Sequence, residues 1–280
     1  MEDKLYYLKM RNMKKKEKKH INFIDEFRSC GRDTADKLIE VLEKQQEEIA
    51  LDTFSPEKDE VINGLFFRIF RFFHSFRISF HFWAADIAEM TYRTMLESLF
   101  YLRFLTKENN DELYKEFIKY GIGQEKLFKA HLATLLDEKK IESTPELIEY
   151  INSSGDEIWD ELVSIKLANF ENLNKLAEKS DSKYDYAVHY QPYSITEHGQ
   201  WPALKRYYLK RCKNPLHRYH FVGNARLPYM DLSFLLSTTD LFYEAYLIWI
   251  KMYNLKDEVK PILEEYAKCI GEIKKPKMED

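Results

Sequence analysis

Glu89, Arg93 and Glu97 stand four residues apart in the largely apolar stretch Ala84–Lys107. On a helix such positions share a face, so the three make a Glu–Arg–Glu column. A column of this kind satisfies itself as a structural ion network. Set in an apolar helix, it is also a candidate site in which Arg93 orients an anion and Glu97 accepts a proton. A second set, Tyr186, Tyr190, Ser194 and His198, again recurs every four residues, with Pro192 placed to kink its helix. Ser194 and His198 fall within mutual reach, the arrangement that activates a hydroxyl, although a histidine satisfied within the core reads the same way. The catalytic candidates are therefore Arg93, Glu97, Ser194 and His198.

Two segments lack acids altogether. Residues 199–230 hold Lys205, Arg206, Lys210, Arg211, Lys213, Arg218 and Arg226, interleaved with Trp201, Tyr207, Tyr208, Tyr219, Phe221 and Tyr229. Cations neutralise phosphates and aromatic faces stack on unpaired bases, so this mixture suits single-stranded nucleic acid. Lys205, Arg206, Lys210, Arg211, Lys213 and Arg218 are the expected phosphate contacts, and Trp201 and Tyr208 the stacking surfaces. A basic loop docked on the chain's own acids would have the same composition. Cys212, His217 and His220, with His198 fourteen residues before Cys212, are potential metal donors, but their spacing fits no standard finger, and no metal is expected. The second acid-free segment lies between Glu60 and Asp86. It holds eight phenylalanines, and Gly64, Arg68, Arg71, Ser75 and Ser79 share one helical face there. That face is either a seam paired with acids of a neighbouring helix or an anion-binding wall. No phosphate-binding glycine loop, dinucleotide fingerprint or His-Glu-x-x-His motif is present, and no cofactor is expected.

The elements that must position these residues are helical. Eight glycines and eight prolines among 280 residues are too few for the corners of a sandwich, a barrel or a doubly wound sheet. Apolar periodicity predicts helices over 34–51, 56–82, 84–107, 112–137, 156–167, 171–179, 182–198, 231–254 and 256–271, with a further start at Ser143-Thr144-Pro145-Glu146. The expected fold is all-α. Residues 1–20 form a basic arm and 21–280 a single helical bundle, with an irregular excursion at 199–230 that has room for short strands. The most apolar stretch, 232–253, carries Asp240, Glu244 and Lys251, so no membrane span is expected. Three cysteines, Cys30, Cys212 and Cys269, do not make a disulfide framework and point to a cytoplasmic setting. The net charge of −4 leaves only local patches to attract a polyanion.

Arg93-Thr94-Met95-Leu96-Glu97, followed by an apolar helix, resembles the R-T-x-x-E helix of a bacterial helical family, domain-of-unknown-function family 5677. Tyr190-x-x-Tyr193-Ser194-x-x-x-His198-Gly199 resembles its second signature, and the likeness spans roughly residues 60–250. The resemblance implies a HEPN-like core and an RNA-directed role, as ribonuclease or RNA binder in phage defence. Metal-independent cleavage would use Arg93 for the phosphate and His198 as acid and base. HEPN nucleases carry Arg-x(4–6)-His, and this chain holds Arg68…His74 and Arg211…His217. The expected partner is single-stranded RNA. The alternative is a non-catalytic interaction module whose Arg/Glu/His network is structural and which binds a partner protein or a second copy. The first reading requires Arg93, Glu97, Ser194 and His198 to converge in a solvent-reachable cleft.

Overall fold

The computed structural model describes residues 15–49, 56–153, 172–214, 216, 220–225 and 228–273. Helix α1, Lys15–Glu48, begins well before the predicted start at Thr34 and takes in the last residues of the basic arm. Helix α2, Pro56–Ile78, has proline at its start and Glu57 and Asp59 in the first turn, where the amide ends favour negative charge. The sequence predicts this helix to run to Phe82. Instead it stops at Ile78, and Phe80–Trp83 form a separate 3-10 turn, held where the Trp83 indole donates to the Phe76 carbonyl at 2.7 Å.

Helix α3, Ala85–Glu108, ends at Asn109, which takes the left-handed conformation and returns its N–H to Leu105. Asn110 caps α4, Asp111–Asp137, and Thr144 caps α5, Pro145–Asn152. Asn172 caps α6, Leu173–Lys179. The helix predicted over 156–167 lies outside the described residues. A broken helix, α7, follows as Lys183–Asp185, a π-helical turn Tyr186–Tyr190, and Gln191–Glu197. The wide turn comes just before Pro192, which has no N–H to give to the preceding turn.

Gly199, at φ +58°, turns the chain into the excursion. This comprises a turn Trp201–Ala203, a second π-helical turn Leu204–Tyr208, and strands β1, Leu209–Arg211, and β2, Phe221–Gly223. The strands pair antiparallel with Lys210 opposite Val222. Helices α8, Ser233–Tyr253, and α9, Lys260–Glu272, complete the described chain. The fold is all-α, and among the described residues the one sheet is this two-stranded ribbon inside 199–230. No helix among the described residues is long and apolar enough to cross a membrane.

The centre is built by α2, α3 and α8, with α1 and α4 packed on α2. Phe66 stacks on Trp249 at 4.6 Å between centroids and Phe73 on Phe242 at 4.3 Å. The phenylalanine-rich segment is thus the core helix, and each fully buried ring contributes about 1.5–3 kcal/mol. Arg77 is fully buried near the end of α2. It donates to the Leu235 carbonyl and to Thr238 and Thr239, and lies over the Phe73 and Tyr266 rings. No acid pairs with it among the described residues, and burial lowers its pKa to about 10. Cys30 of α1 and Cys269 of α9 form a disulfide across 239 residues. This corrects the expectation of unpaired cysteines. The pairing depends on α9 folding back along α1, which no local pattern announces.

Candidate nucleic-acid interface

Four charged residues of α3, Asp86, Glu89, Arg93 and Arg103, hold α7, the excursion and α8 in place, and Glu97 pairs with Arg93 beside them. The Asp86 carboxylate accepts from Tyr208 at 2.8 Å. Glu89 is buried and accepts from Thr196 at 2.5 Å and Tyr207 at 2.6 Å, with Arg206 at 3.5 Å. Arg93, also buried, donates to the Tyr190 hydroxyl at 2.5 Å and lies 4.4 Å over the same ring. Its guanidinium pairs with Glu197 and, at 3.5 Å, with Glu97. One helical stretch further, Arg103 grips Glu244 of α8 through two bonds of 2.6 Å and reaches Asp185 at 2.8 Å and Ser182 at 2.7 Å. Charges on an apolar helix need polar company; here Asp86, Glu89, Arg93 and Arg103 find it on other elements, and Glu97 finds it in Arg93 of the same helix.

These contacts shift the tyrosines that make them. Burial, with Asp86 beside it, pushes Tyr208 up to about 12. Burial likewise raises Tyr190 and Tyr207, the latter also by its bond to Glu89. For Arg103, burial alone would lower the pKa, but its bonds to Glu244 and Asp185 outweigh that and raise it. An unfolded tyrosine ionises near pH 10, before the folded one, so above that pH the unfolded state binds fewer protons and stability falls. Urea midpoints should hold from pH 7 to 9 and drop between about pH 10 and 12, less steeply in Tyr208→Phe.

The tips of the excursion are left bare. Lys205, Lys210, Arg211 and Lys213 are exposed, and none forms an ion pair with any acid among the described residues. Trp201 is 60% exposed and Tyr208 39%. Arg206 is exposed as well, but leans back to Glu89. Arg218 lies outside the described residues.

Of the four catalytic candidates, the structure joins Arg93 and Glu97 and adds Tyr190 and Glu197. Ser194 and His198 are linked through the backbone, His198 N–H to Ser194 carbonyl at 3.1 Å. Ser194 lines a shallow cavity of about 430 Å³ with Gln191, Pro192 and Gln200, and His198 is exposed at the end of α7. No hydrogen bond or ion pair ties either to Arg93. Cys212 and His220 meet through the Cys212 N–H and the His220 carbonyl, and His217 lies outside the described residues. Among the described residues no three metal-capable side chains cluster.

Sequence reasoning missed Asp86, Thr196, Glu197 and Tyr207 as members of the network. Asp86 lies three residues before Glu89, and Glu197 two helical turns after Tyr190, so the spacing held part of the signal.

Residues 59–215 match a protein family described as Family of unknown function (DUF5677), over more than half of the chain. The chain belongs to DUF5677. The DUF5677 span runs from the first turn of α2 to just past β1. It therefore contains α3, α7 and the polar contacts between them. The two segments that carry the resemblance, around Arg93 and around Tyr190, meet at the Arg93–Tyr190 bond. No curated protein and no solved structure matches the chain.

Proposed function

We propose that this chain is an RNA-directed binding protein whose excursion engages single-stranded RNA. The observation that carries the reading is the set of four exposed cations that have no acid partner among the described residues, Lys205, Lys210, Arg211 and Lys213, beside the exposed Trp201 and Tyr208. Asp86 and Glu89 are occupied at the root of the excursion by Tyr207, Tyr208 and Arg206. They anchor the arm and leave its outer charge without an acid counterpart among the described residues, which is what a polyanion supplies. Tyr208 serves both ends: its hydroxyl holds Asp86 while its ring stays partly open for stacking.

Binding is favoured over HEPN-like cleavage because two carboxylates and a tyrosine already engage Arg93, and no hydrogen bond or ion pair links His198 to it. A bacterial, cytoplasmic setting in phage defence belongs to the same proposal; in a reducing compartment Cys30 and Cys269 would stand as thiols.

The test is fluorescence anisotropy with a labelled single-stranded RNA of about 20 nucleotides. With four phosphates contacted, log affinity should fall against log salt with a slope of about −3. The variant Lys210→Glu/Arg211→Glu/Lys213→Glu should lose at least about tenfold in affinity with its circular dichroism unchanged. If that variant binds as the parent does, the RNA reading fails and the interaction-module reading takes its place.

A further inference from the structure

The acid-free face of α2 is not consumed by the fold. Arg68 and Arg71 lie one turn apart, exposed, with no hydrogen bond or ion pair to any described residue. They border a groove of about 600 Å³ between α1 and α2. Leu42 of α1 and Phe67 and Phe70 of α2 give it an apolar floor, and His74 stands at its end. This volume falls in the range of small-molecule sites, and an apolar lining with a few convergent polar groups is their usual chemistry.

Gly64 is the second observation. It lies inside α2, is exposed, and also lines the groove. A Cβ built there meets nothing within 4 Å. No close packing in the fold requires a glycine at this position, and an interior glycine weakens a helix. What its missing side chain does is keep the groove wall open.

We propose that this groove binds an amphipathic carboxylate of the medium-chain fatty-acid type. The acyl body would lie on Phe67, Phe70 and Leu42 and fill the space beside Gly64. The carboxylate would take charge-assisted bonds from Arg68 and Arg71, whose planar forks suit it. Glu43 on the facing wall opposes the anion, but two arginines outnumber it. The site is independent of the excursion.

Isothermal titration calorimetry of the full chain with decanoate, kept below its micelle concentration, tests this. One saturable site is expected, with decanol bound at least about tenfold more weakly, because the alcohol offers no charge to the guanidinium pair. Arg68→Gln/Arg71→Gln should cost about tenfold as well. Gly64→Leu should block the groove to a similar extent with the thermal melt not lowered, and Glu43→Gln should tighten binding by about twofold. RNA affinity should stay at the parent value in all of these. Equal binding of decanoate and decanol, undiminished binding to Gly64→Leu, or an RNA affinity that falls with the groove variants would overturn the proposal.

Discussion

Arg93→Ala is expected to lower the free energy of unfolding by about 2–4 kcal/mol, read as a shifted urea midpoint. Removing one partner of a buried ion pair commonly costs about 3–5 kcal/mol because the remaining charge is stranded. Here the Glu97 and Glu197 side chains are 29% and 35% exposed, so water recovers part of the loss and the cost falls about 1 kcal/mol below that range. The Tyr190 hydroxyl would lose its donor and its ring the overlying cation. Arg93→Lys should not restore stability, since one ammonium cannot span Tyr190, Glu97 and Glu197 as a guanidinium does. Adding Glu197→Gln to Arg93→Ala should recover part of the loss by removing one stranded charge, the coupling expected of residues in one network. All of this is measured without RNA. Unchanged stability in Arg93→Ala would mean that the guanidinium is not the clasp between α3 and α7, and would return it to the candidates for chemistry.

The same network shows where sequence reading succeeds and where it stops. The four-residue spacing of Glu89, Arg93 and Glu97 was visible because a helix imposes it locally. Pro56 and Thr144-Pro145 marked helix starts for the same reason: caps and proline act over a single turn. The pairings across elements were not visible. Tyr190, Thr196, Glu197 and Tyr207 come to α3 from about a hundred residues away, and only the path of α7 decides which of its side chains arrive. The sequence offered Ser194 and His198 as the polar pair of that helix. In the structure the buried contacts fall to Tyr190, Thr196 and Glu197, while His198 sits past the last turn. The basic excursion was legible as composition, but composition alone could not separate a loop bound to its own acids from a bare one. Arg206 took the first course and Lys210, Arg211 and Lys213 the second, depending on reach to Glu89.

Gly31→Ala is expected to destabilise the protein by about 2 kcal/mol, although alanine is the better helix former by about 1 kcal/mol. A Cβ on Gly31 would lie 2.4 Å from the Arg77 carbonyl oxygen and 3.0 Å from its carbon. Both atoms are backbone, so no side chain can swing aside; α1 and α2 must part. The helices are tied together there on both sides. Cys30 is bonded to Cys269 of α9, and the Arg77 side chain is enclosed by Tyr266 and the α8 hydroxyls. A separation would open a place where a buried guanidinium has no acid partner among the described residues, which puts the cost at the upper end of the about 1–3 kcal/mol usual for overpacking, less the gain in helix preference. Gly64→Ala supplies the matched control. It is the same substitution inside α2, but its Cβ meets open space, so it should raise stability by about 0.5–1 kcal/mol. Denaturant titration of the two variants should therefore move the midpoint in opposite directions. Equal shifts would show that helix preference alone decides the outcome, and that the close approach of α1 to Arg77 does not set the packing at this end of the core.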